Sequence, residues 1–345
     1  MEPSLRVVSQ LASASPSTTG GTRPDVIYID ATVKENAFVR AIRARLSNIP
    51  CEEIEDLRWL RYPTDFLEAK RVWLLTAGPR PLLRTVPSGD ATARAVLELA
   101  HNTPYDTSYS PLRVTLAGRP IVRIGAAIEA ILAEIASRAA KHPRRSVRVQ
   151  IGARCDALAL DDMTQLSATL VPFAGFFPNC TLELRTRTDN VGQLLKLPHN
   201  GRTVVTFAVN PRALIAGEER GTPSLVARLA AARRCLNAGY RVGFAIDPII
   251  QCAGWERLYE EMLDELFTHV APDECETIDL QCLRYPKGLP ELALRAFPGT
   301  QIFFSEFAPV RGEYRYFRPL RDRMYQWFAA ILAHRQVSTK QSLSA

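Results

Sequence analysis

The chain is 345 residues long, 47% hydrophobic and 23% charged, enough to bury a sizeable core, which excludes a disordered or fibrous protein. Forty-three Lys and Arg against 36 Asp and Glu leave a net charge of +7, which suits polyanions without requiring one. Seven scattered cysteines (Cys51, Cys155, Cys180, Cys235, Cys252, Cys275, Cys282) form no C-x-x-C pair, arguing against a disulfide scaffold, a zinc ribbon and a thioredoxin-type redox site.

Residues 1–24 are rich in Ser, Ala, Thr and Gly, lack an apolar export core, and read as a disordered tail. VIYID (26–30) predicts a strand, VKENAFVRAIRARL (33–46) a helix, and RVWLLTAG (71–78) a second strand before a loop rich in Pro, Gly and Arg. These elements make a small N-terminal α/β lobe over 25–90. Over 91–305 the pattern becomes regular. Strands are expected at 96–100, 147–151, 181–185, 204–209, 241–246 and 277–283, with helices at 125–141, 161–173, 222–239 and 254–267. The third helix offers Thr222 as N-cap, Pro223 at its first position and Gly239 just past its end.

Six strands, mostly apolar on both faces and alternating with helices, predict parallel βα units. The fold class is α/β, a partial (β/α)6 TIM-like barrel, since six units and not eight can be counted. Function in such barrels sits at the C-terminal strand ends. That rule selects the 101–113 loop with Tyr109, then Asp156, Arg187, Asn190, Asn210 and Asp247, and the segment 281–284.

Residues 306–345 read as a C-terminal capping segment and tail. Within 308–345, seven Lys or Arg against two acids carry +5 of the net charge. Arg311, Arg315 and Arg318 interleave with Tyr314, Tyr316 and Phe317. Arginines supply phosphate contacts and aromatics stack on bases, which makes these three arginines nucleic-acid candidates. The competing reading is a lid whose aromatics pack under the barrel while the arginines face water.

Other chemistries find little support. No run approaches the ~20 apolar residues of a membrane helix. Free thiols without an export signal point to the cytoplasm. The five histidines do not cluster, and no G-x-S-x-G, H-E-x-x-H, G-x-G-x-x-G or Walker loop occurs. A Cys155–His199 pair is outweighed by a buried thiol and a loop histidine, and Cys275 and Cys282 read as core. Gly125, opening a helix after Arg123, is a weak candidate for holding an anion. No metal site is expected.

Several blocks together carry a family resemblance. LRTRTDNVGQLL (184–195), HNGRT (199–203), FAVNP (207–211), RGTPSL (220–225), AARRCLNAGYRVGFAIDPII (231–250), GWERLYEEML (254–263) and YRYFRPLR near the end resemble the spore photoproduct lyase family of radical SAM proteins. The likeness spans residues 25–328. It implies a partial barrel whose first loop carries Cys-x3-Cys-x2-Cys, three thiolates holding a 4Fe–4S cluster. S-adenosylmethionine then chelates the fourth iron and is cleaved to a radical that starts repair of a thymine–thymine lesion in DNA, with a further cysteine returning the hydrogen.

In this chain the corresponding loop reads HNTPYDTSYSPLR (101–113). Family members carry a pattern resembling N-C-P-Y-D-C-x-Y-C-Y-L-Q. Asn102, Pro104, Tyr105, Asp106, Tyr109 and Leu112 match it, while the three cysteine positions fall on Thr103, Thr107 and Ser110. The family's lysine after the third strand is Arg187, the serine of F-S-x-N is Ala208, and the tyrosine after the third ligand is Pro111. The hydrogen-donor position matches Ala153, with Cys155 two residues on. A rescued cluster using Cys155, Cys252 and Cys282 has no family precedent. The resemblance therefore implies a degenerate member, more a non-catalytic protein than an enzyme, with neither cluster nor S-adenosylmethionine expected. Its expected role is binding DNA or a nucleotide-like ligand. A lyase with unusual cluster ligation, an enzyme repurposed to non-redox chemistry in the same barrel, and a partner of an intact paralogue or repair protein are the alternatives.

Overall fold

The computed structural model describes residues 23–78, 81–86, 92–141, 143–337 and 339–341. The tail expected over 1–24 lies almost wholly outside them. In chain order the first strands are β1 (Val26–Asp30), β2 (Cys51–Ile54), β3 (Val72–Thr76), β4 (Leu83–Val86), β5 (Ala93–Leu97) and β6 (Ala100–His101). Then come β7 (Asp106–Thr107), β8 (Val122–Gly125), β9 (Val147–Ile151), β10 (Cys180–Thr186), β11 (Thr203–Ala208) and β12 (Glu219–Arg220). The last are β13 (Arg241–Ile249), β14 (Cys275–Cys282), β15 (Arg284–Pro286), β16 (Phe307–Val310), β17 (Glu313–Tyr316) and β18 (Thr339–Gln341).

The lobe is a five-stranded sheet in the order β2-β1-β3-β8-β6. Alternation in VIYID decides its two faces. Ile27 and Ile29 pack with Val39 and Ile42 of the helix Ala37–Arg45, while Val26 and Tyr28 pack with Leu60 and Leu74 on the other side. That helix starts where Asn36 accepts the Phe38 amide at 2.8 Å, a side-chain N-cap.

The second sheet runs β18-β14-β13-β11-β10-β9-β5-β4. Its six central strands, β5 to β14, are parallel, β4 is antiparallel to β5, and β18 extends the β14 edge. This is the partial (β/α)6 barrel expected from the sequence. Sheet membership crosses residue 90: β4 belongs to the barrel, whereas β6 and β8 return to the lobe.

Four local expectations are corrected. The first barrel strand is 93–97, not 96–100, because the chain after Leu97 crosses to the lobe and Ala100–His101 pairs with β8. Gly125 ends β8 rather than opening a helix, and its amide donates to Leu99 O at 2.8 Å, so it offers nothing to an anion. The helix Leu225–Asn237 is capped by Ser224, whose Oγ accepts the Ala227 amide at 3.3 Å, while Thr222 bonds Glu219 instead. Fourth, the strands are not apolar on both faces. Val149, Leu182, Leu184, Val205 and Phe207 face the helices, but the lumen carries Arg148, Glu183, Arg185 and Asp279. Arg148 lies 3.4 Å from Glu183, and Arg185 lies 2.8 Å from Asp279. An unclosed barrel can keep such charges because each has a partner, on the neighbouring strand for Arg148 and Glu183 and across the lumen for Arg185 and Asp279.

The capping segment forms a three-stranded antiparallel sheet, β15-β17-β16, followed by the helix Arg318–His334. Val310 pairs Glu313, so Arg311 and Gly312 are a two-residue turn, with φ of +50° and +85°. Tyr314 stacks on Tyr285 and Tyr316 on Phe307, and the Tyr316 hydroxyl accepts the Gln251 amide at 2.9 Å. Tyr314 and Tyr316 therefore pack as a lid, whereas Phe317 is exposed.

Candidate functional site

The loop from Asn102 to Ser110 lies between lobe and barrel. Asn102 turns the chain at a φ of +73°, its amide donating to Arg154 O at 2.9 Å and its side chain accepting the Thr103 amide at 3.0 Å. Thr103 Oγ1 accepts the Tyr105 amide at 3.3 Å, and Ser110 Oγ accepts the Leu112 amide at 3.3 Å. Between them β7 pairs with β12, setting Thr107 opposite Glu219 and Asp106 opposite Arg220.

Buried polar bonds fix this loop to the barrel. The Ser108 amide donates to Glu218 O at 3.0 Å, and its hydroxyl and that of Thr300 both reach Glu218 Oε2. The Tyr109 hydroxyl donates to Glu219 Oε1 at 2.6 Å. Glu219 also takes Arg228 Nη2 at 2.5 Å, and Arg228, wholly buried, donates to Ala208 O and Pro223 O. Burial raises the Glu219 carboxyl, but Arg228 and Arg187 together hold it below its ordinary value. Burial pushes the Tyr109 hydroxyl well up, so it stays a neutral donor.

The strand-end residues separate into groups. Gly152 ends β9 at a φ of +106°, where a Cβ would come within 2.5 Å of Arg185 O, so only glycine fits. The chain then turns through Asp156, which is engaged on both oxygens: Oδ1 accepts from Leu158 N, Ala159 N and Thr186 Oγ1, and Oδ2 from the Arg187 amide at 2.6 Å. Arg187 reaches Asp247 O at 3.4 Å and sits 5.8 Å from the Tyr109 ring centroid, with its Nε buried and unpartnered. Tyr109, Asp156, Arg187 and Asp247 are thus gathered at the mouth. Asn210 is buried behind them, accepting from the Tyr259 hydroxyl at 3.0 Å. Asn190 lies elsewhere, bonded to Leu158 O and Asp162, on a polar cavity of about 200 Å³ that Tyr105, Thr188, Asp189 and Gly221 also line.

Cys155 and His199 are not brought together. Burial pushes the Cys155 thiol up to about 12, with Asp156 and Glu98 adding to the effect, and His199 sits before β11 at the opposite rim, stacked on Tyr240. Among the described residues, no group of three or more His, Cys, Asp or Glu is placed to hold a metal ion.

The expectation that the tail arginines face water fails for Arg315, which is 7% exposed and lies 3.1 Å from Glu313. Arg311 and Arg318 are exposed, and Arg318 lies 3.5 Å from Asp322. Phe317, next to Arg318 at the base of the hairpin, and Phe304 are also exposed, whereas Arg311 stands at the hairpin's far end. Among the described residues, no helix is long and apolar enough to cross a membrane.

Glu218, Glu219 and Arg228 were not singled out from sequence. A usable signal exists: Arg228 sits at helical spacing with Leu225, Leu229 and Ala232, and an arginine on an apolar face implies a buried partner.

The architecture is that of a radical SAM partial barrel with an N-terminal lobe and a C-terminal lid. The family model for spore photoproduct lyase matches residues 67–316, well over half of the chain. The chain belongs to the spore photoproduct lyase family. It is 28% identical over 234 residues to the spore photoproduct lyase of a Geobacillus species, covering 67% of this chain and 68% of that one. It is 22% identical over 293 residues to that of Bacillus subtilis, covering 82% and 85%. A solved spore photoproduct lyase complexed with dinucleoside spore photoproduct shares the fold at a TM-score of 0.82 and 22% identity, over 93% of this chain and 98% of that one. A mutant lyase with bound AdoMet and dinucleoside spore photoproduct also superposes at 0.82 and 22%, over 93% and 99%.

Proposed function

We propose that this protein is a spore photoproduct lyase-like protein without radical chemistry, a binding protein for DNA or a nucleotide-like ligand at the barrel mouth. The observation that carries the reading is the donor set of the 102–110 loop. The frame of a cluster loop is present and held from both sides. At the three matching positions, however, stand the hydroxyls of Thr103, Thr107 and Ser110. A hydroxyl is a hard donor that keeps its proton at neutral pH, whereas iron–sulfur clusters are held by soft thiolates. Two of these oxygens already accept backbone amides. The residues present do not fit a 4Fe–4S cluster, and no step runs through one.

Binding draws support from two features. The unpartnered Arg187 Nε, beside Tyr109 and Asp247, offers a buried donor to an anionic ligand group. Arg311 and Arg318, with exposed Phe304 and Phe317, supply charge and stacking faces for a nucleic acid. The related lyases described with dinucleoside spore photoproduct make a DNA lesion a natural first probe. All seven cysteines are unpaired, which suits a reducing, cytoplasmic setting.

The test is an iron and sulfide assay after anaerobic reconstitution, together with titration of a fluorescent DNA duplex. Colourless protein without iron, and binding that weakens with salt, are the expected results. Stoichiometric iron with cleavage of S-adenosylmethionine would falsify the non-radical reading, and absent or salt-independent DNA binding would remove the nucleic-acid part.

A further inference from the structure

Lys70 ends the short lobe helix Phe66–Ala69 and is one of six lysines in a chain with 43 Lys and Arg. It is 5% exposed. Its ammonium donates to Thr103 O at 3.1 Å and to Tyr105 O, and lies 5.0 Å from the centroid of the Phe66 ring. Arg113 continues the pattern. Its Nε donates to Thr107 O at 3.3 Å, its guanidinium pairs with Asp106, and it lies between the rings of Phe66 and Phe297. Alternate carbonyls of the loop, at 103, 105 and 107, therefore each rest on a buried cation. Asp106 is the compensating anion, and its Oδ1 is buried without a partner.

We infer that Lys70 is the positioning residue of the 102–110 loop: reaching across from the lobe, its amino group sets the backbone of Thr103 and Tyr105, and with it the Tyr105 wall of the polar cavity. A compact ammonium with three rotatable donors can serve two converging carbonyls, which the flat guanidinium fork of arginine does poorly. Remove it, and two buried carbonyls lose their donor while Asp106 loses a neighbouring charge. Burial lowers this amine to about 8, Asp106 opposing the shift and Arg113 adding to it, consistent with a cation held away from water. The loop is thus stapled by the protein itself and needs no metal to keep its shape.

This goes beyond the proposed function, because the polar cavity is lined by other residues than Tyr109, Arg187 and Asp247 at the barrel mouth, and loop order is read without ligand. The experiment is hydrogen exchange of the ligand-free full chain, comparing wild type with Lys70→Ala and Lys70→Met, and using the helix Leu225–Asn237 as internal reference. Amides of 102–112 should exchange about tenfold faster or more in both variants while the reference is unchanged. Ethylammonium should restore part of the protection in Lys70→Ala, and tetramethylammonium, which has no N–H donor, should not. Should both variants misfold, carbon-13 NMR of the wild-type lysines replaces them: one of the six should titrate near 8. Folded Lys70→Ala with wild-type protection at 102–112, equal rescue by both cations, or six ordinary lysine titrations would each overturn the assignment.

Discussion

Tyr109 and Glu219 join the loop to the barrel through one buried hydrogen bond of 2.6 Å, and Glu219 is simultaneously the counter-charge of Arg228. The two partners are therefore unequal. Tyr109→Phe removes a neutral donor from a carboxylate that keeps its ion pair, and should cost about 1.5–3 kcal/mol. Glu219→Gln strands a buried guanidinium and should cost about 3–5 kcal/mol. Urea unfolding of the two variants checks the order; a larger loss for Tyr109→Phe would contradict it.

The retained loop frame makes a second expectation. On the proposed reading, Thr103→Cys, Thr107→Cys and Ser110→Cys together would place thiols at the positions that the family resemblance assigns to cluster ligands. The triple variant, reconstituted anaerobically, should bind iron and sulfide where the wild type binds none. Equal iron in both would show that the loop is not where a cluster forms.

If DNA is the ligand, the exposed arginines set its salt dependence. Each phosphate contact contributes about 0.9 to the slope of log K against log salt on duplex DNA. Arg311→Gln with Arg318→Gln should flatten that slope by up to about 1.8. Arg315→Gln should instead lower stability, because Arg315 is buried beside Glu313.

Lys70 gives a pH signature with a definite sign. Burial takes its amine from 10.5 down to about 8, so between those values the unfolded chain binds more protons than the folded one. Stability should therefore rise with pH across that window, the cost of the buried charge being fully present below it. Subtracting the Lys70→Met curve cancels the other titrating groups. A wild-type advantage that does not grow between pH 8 and 10 would refute the assignment.

Cys155 should be slow to alkylate. With its thiol near 12, little thiolate exists at pH 8, and timed iodoacetamide labelling read by mass spectrometry should find it far behind a free thiol.

Sequence patterns carry the barrel well, because parallel strands and their helices are local and periodic. They fail where the chain changes sheet. Leu99 and Ala100 look like a continuation of β5 until β8 draws them into the lobe, and no local pattern records that pairing. They also fail for the lumen, since Arg148, Glu183 and Arg185 alternate with apolar residues as surface positions would. Near the barrel mouth, strand-end position points to Asp156, Arg187 and Asp247, while Tyr109 comes from the loop that the family resemblance singles out. Lys70, Glu218 and Glu219 do not, because each reaches the loop from a distant segment through side-chain bonds that spacing cannot express.

The interleaving of the two sheets has a consequence for how this protein can be taken apart. A cut between 90 and 91 yields an N-terminal piece whose β3 lacks β8 and a C-terminal piece whose β5 lacks β4, so each fragment carries a raw sheet edge. Neither sheet can be transplanted, expressed or deleted as a module. A chain built this way can vary its loop side chains one residue at a time, but it must inherit its scaffold whole.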